Sequence, residues 1–405
     1  MRQLQNGISK YRMAIVHDGI HVYGGAERVL EQLIACFPSA DLFAAYVTLS
    51  PSELSFLQGK LVATTPFQKL PRLKRWHRHY FVLLPLMIEQ LDLGKYDVVI
   101  SSSYLVAKGV LVGPDQLHIS YVHSPMRYAW DMQHEYLRGM SGLKGLLVRL
   151  GLHYLRLWDG RVAGVDAFVT NSDFVARRLR RVYNRGAAVI YPPVDTQQFG
   201  VAFGEDDREA FFVTVSRLVP YKRVDFLVEA FTEAMPELRL VVIGDGPDLA
   251  RVRAKAGPNV TVMGRQSHEV VRNHLQRATG FVYAAEEDFG IAAAEAQACG
   301  TPVIAYARGG VREIVRGLDH PLPTGTFYAE RTPQALRLAI DQFFAERARI
   351  RASACRANAE RFAASRFRAE FRSFVIGRLE QFRRELDAVE PATRFEPRRR
   401  HEAQV

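Results

Sequence analysis

Cysteine is scarce in this chain. Three residues in 405, Cys36, Cys299 and Cys355, are odd in number, unclustered and set in helical contexts. That argues against a disulfide framework or a zinc site and makes a reducing cytosol the simplest setting. Long apolar runs are missing too. No stretch of about 18 consecutive apolar residues occurs, and the opening MRQLQNGISKYR has no apolar core of signal-peptide length, so neither a membrane span nor secretion by that route is expected. The chain contains no Asp-x-Asp pair to bridge a metal to a diphosphate, so no metal site is expected, and no G-x-G-x-x-G fingerprint, which leaves NAD chemistry poorly supported. A net charge of +11 faces something acidic. No nucleic-acid motif accompanies it, so phosphorylated substrates and anionic lipid remain, and a nucleic-acid partner is not expected.

What is present is ordinary globular material, 48% hydrophobic and 11% aromatic. The length exceeds the usual size of one core, so two domains are expected. The most informative stretch is FVYAAEEDFGIAAAEAQACGTPVIAYA, Phe281 to Ala307. Its apolar start reads as a buried strand, its acidic middle as a turn and its Ala-rich remainder as a helix opening near Gly290. Glu287 then lies in the loop ahead of the helix and Glu295 between its first two turns. The amides near Phe289, Gly290 and Ile291 form a helix N-terminus, which favours an anion such as a diphosphate.

In chain order, residues 1–11 are a polar lead-in. A strand at Met13–Val16 runs through His17 and Asp18 to Gly24 and Gly25, which open a helix with Val29, Leu30, Leu33, Ile34 and Phe37 at helical spacing. The glycines either permit a tight turn or approach a substrate. Further strands are expected at Leu42–Val47, Leu61–Thr64, Val98–Ser101, His118–Val122 and Ala167–Thr170. Between Pro66 and Leu91, Lys69, Arg72, Lys74, Arg75 and Arg78 alternate with Trp76, Tyr80 and Phe81 ahead of an apolar segment. Two readings stand: a peripheral anionic membrane surface, or a core helix with a solvated basic beginning. His123 sits at a strand end where open α/β sheets bind ligands, followed by Arg127, Trp130 and Asp131, which either bind an acceptor or order the loop. Residues 143–164 read as an amphipathic helix. Asn171 or Ser172 caps a basic helix whose Arg177, Arg178, Arg180 and Arg181 read as a solvated face.

Beyond a polar linker around residues 204–210 the pattern is doubly wound. Strands at Phe211–Val215, Leu240–Ile243, Val260–Val262, Phe281–Tyr283 and Pro302–Ala305 alternate with helices, which implies a parallel sheet covered on both faces. Arg217 and Lys222 bracket a proline turn after the first of these strands. They are either surface charge or a diphosphate clamp. Phe367, Phe371, Phe374, Leu379 and Phe382 line one side of a last helix, and the tail from 388 to 405 is expected to be disordered.

The Glu-x7-Glu spacing in EEDFGIAAAE, with VSRLVPYKR upstream and GTPVIAYARGG downstream, resembles the retaining glycosyltransferases of family 4, and within them bacterial mannosyltransferases of exopolysaccharide or O-antigen synthesis. The resemblance covers residues 12–375 and implies an α/β GT-B fold, two Rossmann-like domains facing each other across a cleft. The first would span 1–200, completed by the helix at about 366–386, and the second 208–365. It implies a nucleotide-sugar donor, GDP-mannose foremost, with no further cofactor. Arg217 and Lys222 would hold the leaving diphosphate, Glu287 the sugar hydroxyls and Glu295 the ribose. Gly24, Gly25, Gly244, Gly264, Arg265, Phe289, Gly290 and Ile291 would line the donor site, and His123 would contact the transferred sugar. It further implies a polyprenyl-diphosphate-linked acceptor near Arg127 and Trp130, and peripheral attachment through Arg72, Lys74, Arg75 and Trp76 to the inner face of the cell membrane. A UDP-sugar transferase, a GT-B sugar-nucleotide epimerase and a basic nucleic-acid- or membrane-binding scaffold are the competing readings.

Overall fold

A computed structural model describes residues 10–76, 80–161, 164–202 and 208–389. The lead-in at 1–9, Arg78, most of the linker and the tail from 390 lie outside the described residues.

Two parallel sheets organise the chain. The first holds seven strands in the order β3-β2-β1-β4-β5-β6-β7: β1 (Met13–Ile20), β2 (Asp41–Val47), β3 (Leu61–Thr64), β4 (Val98–Ser103), β5 (Leu117–Val122), β6 (Ala167–Thr170) and β7 (Ala187–Val189). Every residue of β1 is buried, as expected for a central strand covered on both faces. Ile15 lies beside Leu42 on one flank and Ile100 on the other. The strand runs four residues beyond the apolar stretch that predicts it, because its polar end finds partners. The Asp18 carboxylate accepts backbone N–H groups from Tyr104 at 2.6 Å and from Leu105, Val106 and Ala107 at 2.7 Å. At Gly19 a Cβ would fall 2.1 Å from the Tyr46 ring.

The second sheet has six strands in the order β10-β9-β8-β11-β12-β13: β8 (Glu209–Val215), β9 (Leu240–Ile243), β10 (Val260–Gly264), β11 (Ala278–Tyr283), β12 (Val303–Tyr306) and β13 (Gly325–Tyr328). Strand order reverses at β1/β4 and at β8/β11, the switch points where doubly wound sheets open a ligand crevice at their carboxyl ends. The sequence does not announce the two edge strands β7 and β13. They are three and four residues long, too short to show a pattern.

Six helices shape the crevice and its surroundings: α1 (Gly25–Cys36), α2 (Gly142–Asp159), α3 (Asp173–Tyr183), α4 (Val224–Ala234), α5 (Ile291–Ala298) and α6 (Ala364–Val389). α6 belongs to the first sheet's core, where Phe367, Phe371, Val375 and Leu379 pack with Ile15, Leu33 and Tyr121. Arg372 donates to the carbonyls of Cys36 at 2.9 Å and Ala35 at 2.7 Å, satisfying orphan acceptors at the end of α1. The three cysteines are buried in three different clusters.

Among the described residues the 66–91 segment holds four short helical pieces, Pro66–Lys69, Leu73–Trp76, Phe81–Leu83 and Leu84–Ile88, rather than one helix. Phe67, Leu73, Leu84, Pro85 and Ile88 are buried, while Arg72, Lys74 and Arg75 are exposed. Its apolar half is core, and its basic half is solvated.

Candidate functional site

The ends of β1, β4 and β5 bring three polar side chains together in the first domain. His17 Nδ1 lies 3.0 Å from Ser102 Oγ, which lies 2.8 Å from His123 Nε2. Asn171 donates to the His123 carbonyl at 2.9 Å. Burial, reinforced by His17 nearby, pushes the His123 imidazole down to about 3, so it is neutral at physiological pH and acts as a polar contact rather than a cation. The glycine turn is tied to this relay by Glu27. Its Oε2 accepts the Gly24 N–H at 3.0 Å, and its Oε1 stands 3.9 Å from the otherwise unpartnered His17 Nε2.

In the second domain, β11 delivers Tyr283 and, just beyond it, Glu287. Lys222, from the turn after β8, lies 2.8 Å from Glu287 Oε1, and the Tyr283 hydroxyl donates to Oε2. Burial pushes the Glu287 carboxyl up, but Lys222 and Tyr283 outweigh it and hold the group below the usual carboxylate range. Burial likewise pushes the Lys222 amine down, and Glu287 more than restores it. The pair is therefore ionised. Gly290 precedes α5 with φ 111, a backbone conformation that favours glycine. Gly309 and Gly310 pack directly on the acidic loop: the Gly310 N–H donates to the Glu287 carbonyl at 2.8 Å, and a Cβ on Gly309 would fall 2.5 Å from the same oxygen.

The two halves meet across this crevice. Asp288 accepts from Arg127 at 2.8 Å and from Arg178 at 2.6 Å, and Arg178 also grips Asp131 through both carboxylate oxygens. Arg127 stacks over Tyr221, 5.5 Å from the ring centroid. Ser172 donates to the Asp288 carbonyl at 2.5 Å. Glu313 caps α3 from the other domain, accepting the N–H groups of Asp173 at 2.8 Å and Phe174 at 2.9 Å. Arg28, on α1, pairs with the buried Glu295. Gly25 lies where a Cβ would stand 3.0 Å from Ile291 Cδ1, so the glycine turn touches the start of α5.

The structure thus gathers His123, Lys222, Glu287, Gly24, Gly25, Gly290, Ile291, Glu295 and Arg127 at one crevice. The remaining candidates differ in exposure and in their contacts. Phe289 is buried against Tyr191 and Phe362, which leaves only its backbone for a ligand. Gly244 and Gly246 are needed for close packing, since a Cβ on either would fall about 2 Å from the carbonyls of Ser216 or Leu218. Gly264 has φ 72 and accepts the Gly244 N–H at 2.9 Å. Arg217 and Arg265 are exposed. Trp130 orders its own loop: its indole donates to Asp159 at 2.7 Å, which also pairs with the fully buried Lys108. Arg72, Lys74 and Arg75 are exposed; Trp76 ends a short helix, and its side chain is outside the described residues. Among the described residues no three His, Cys, Asp or Glu side chains gather as metal ligands would.

Arg178 corrects the expectation of a solvated basic face, because that guanidinium points into the crevice. Arg28, Asp288 and Glu313 also escape sequence reasoning. Each is an ordinary charged residue on its own element, and only the partner in the other half reveals it.

Residues 23–198 match the model of Glycosyltransferase Family 4, and residues 195–362 that of Glycosyl transferases group 1. A D-inositol 3-phosphate glycosyltransferase of Mycobacterium sp. (strain KMS) is 33% identical over 173 residues, covering 37% of this chain and 39% of that one. A GDP-mannose-dependent monoacylated alpha-(1-6)-phosphatidylinositol monomannoside mannosyltransferase of Corynebacterium glutamicum is 31% identical over 178 residues, covering 37% and 47%. The matched stretch therefore spans less than half the length of these curated relatives. Among solved structures, Anabaena HepE in complex with UDP and glucose aligns with TM-score 0.64 at 17% identity, covering 90% of this chain and 99% of that one. The lipopolysaccharide outer core galactosyltransferase WaaB aligns with TM-score 0.61 at 18% identity, covering 91% and 99%. The chain has the GT-B fold, with a first half similar to Glycosyltransferase Family 4 and a second half similar to Glycosyl transferases group 1.

Proposed function

We propose that the chain is a retaining glycosyltransferase that moves a hexose, mannose from GDP-mannose, onto a lipid-linked sugar or polysaccharide precursor at the inner face of the cell membrane. The observation that carries the proposal is the Lys222–Glu287 pair ahead of α5, with the neighbouring Asp288 held to the first domain by Arg127, Arg178 and Ser172. In this reading Lys222, the exposed Arg217 and the α5 N-terminus balance the two charges of the leaving diphosphate, the main electrostatic demand of the step. The cations take the part that a metal would otherwise play. Glu287 accepts hydroxyls of the transferred sugar while Lys222 keeps it charged, and neutral His123 contacts that sugar from the other wall. Glu295 engages the ribose, exchanging or sharing its Arg28 partner.

The bond between the anomeric carbon and the diphosphate oxygen breaks as the acceptor oxygen forms its bond on the same face. The acceptor proton passes to an oxygen of the departing diphosphate, which retains configuration and balances charge. Support for mannose comes from the resemblance in HSPMRYAWD and VSRLVPYKR and from the corynebacterial relative. Incubation with GDP-mannose and a membrane extract tests the activity. Glu287→Gln is expected to lower transfer by about a hundredfold or more while GDP affinity changes by less than about threefold. A fully active variant contradicts the role of Glu287. Transfer from a UDP-sugar alone moves the donor, and turnover without any acceptor points to an epimerase.

A further inference from the structure

α2 is apolar on two opposite sides. At about 100° per residue, Gly145, Leu152, Leu155 and Asp159 face inward and are buried. On the opposite side Leu143, Leu146, Leu147, Leu150, Tyr154 and Leu157 form a continuous line, exposed by 73%, 52%, 60%, 57%, 44% and 51%. The line runs for about 21 Å. Singly exposed leucines are ordinary on protein surfaces, but an unbroken row on one helix marks a contact surface.

The charges around the row indicate what covers it. Exposed Lys144 lies on one flank, and exposed Arg149 and His153 on the other. The helix's only acid, Asp159, is buried against Lys108. A second copy of the chain laid on this face would bring cation against cation in a molecule already at +11. An anionic bilayer instead takes the leucines among its acyl chains and the flanking cations at its phosphates, with Tyr154 at the boundary. The helix is firmly seated for this. Gly151 packs against Val82, and the Trp158 indole donates to Glu89 at 2.7 Å, so the 81–89 segment supports the helix, while its own Leu83 and Leu86 are exposed.

We propose that the outward face of α2 is a lipid-docking element, lying in the plane of an anionic membrane with Leu143 to Leu157 inserted. This deepens the membrane placement in the proposed function and rests on that reading.

Cosedimentation with vesicles of phosphatidylethanolamine and phosphatidylglycerol in equal parts, and with phosphatidylcholine vesicles, tests it. The wild-type chain is expected to bind the anionic vesicles and to leave the neutral ones largely unbound. Leu147→Gln combined with Leu150→Gln is expected to lower that binding by about tenfold or more. Both substitutions are on the solvent side of the helix, and thermal stabilisation by nucleotide in the same samples reports that fold and crevice are intact. Loss of binding in an Arg72→Ser, Lys74→Ser, Arg75→Ser variant with full binding by the leucine variant overturns this inference and keeps the membrane placement. Absence of wild-type binding overturns both, while leaving transfer to be judged by the GDP-mannose assay. A dimer in light scattering that the leucine variant dissolves assigns the face to a second copy and overturns the lipid.

Discussion

At the scale of the residue, the buried titratable groups set the site's chemistry and its acid sensitivity. Glu287 and Lys222 stay charged because each offsets the other's burial. The buried His118 and His123 have no such partner. Burial pushes His118 down to about 4 and His123 down to about 3. His118 is held between Ser101 Oγ at 2.9 Å and the Gly164 carbonyl at 2.8 Å. Because the folded-state values lie below the unfolded one, the unfolded chain binds more protons below about pH 6.5. The stability these two histidines contribute is therefore full above that pH and is lost progressively as the pH falls through about 4 for His118 and about 3 for His123. Melting temperatures measured across this window are expected to fall steeply in the wild type and less steeply in His118→Gln, compared with its own value at neutral pH; an unchanged slope contradicts the assignment. Position alone placed His123 at a strand end and Glu287 ahead of a helix, while Lys222 and Glu295 were singled out by the family resemblance. Arg178 was not, because a basic run on a helix looks solvated until Asp288 and Asp131 are seen opposite it.

At the scale of the element, short loops hold the chemistry and glycines hold the loops. Gly309, with φ 82, lets its turn press onto the backbone of Glu287. A Gly309→Ala variant combines left-handed strain with a clash against carbonyl oxygen rather than a yielding side chain. It is expected to displace Glu287, lower transfer by about tenfold or more, and lower stability by about 1–3 kcal/mol. Urea unfolding and the GDP-mannose assay measure both effects, and a variant matching the wild type contradicts the role of the turn. The central strands were legible from apolar runs, and α6 from its spaced phenylalanines. Strands β7 and β13 were not, since three or four residues beside glycine and proline carry no usable period. The Pro66–Leu91 stretch blended two environments, because its apolar residues fill the core while its cations remain outside.

At the scale of the whole molecule, side chains from both halves bridge the crevice among the described residues, and Asp288 is central among them through Arg127 and Arg178. Replacing it by alanine leaves two partly buried guanidinium groups without their common acceptor. Asp288→Ala is expected to open the crevice, seen as a larger radius of gyration in solution scattering and a donor KM raised by about tenfold; unchanged values for both contradict a closing role. Alternation predicted the parallel sheet of the second half and the family resemblance implied two facing Rossmann-like halves, whereas the bridges between them depend on partners more than a hundred residues apart. The central claim is that this crevice binds a nucleoside diphosphate sugar with protein cations holding the diphosphate. Its most direct test is thermal stabilisation by GDP, UDP, ADP and NAD, each with magnesium and again with EDTA, in the wild type and in Lys222→Ala. A ligand that binds only the native state raises the melting temperature. The account predicts a selective rise with GDP that survives EDTA and shrinks in Lys222→Ala; a rise with NAD alone, or none with any nucleoside diphosphate, contradicts it.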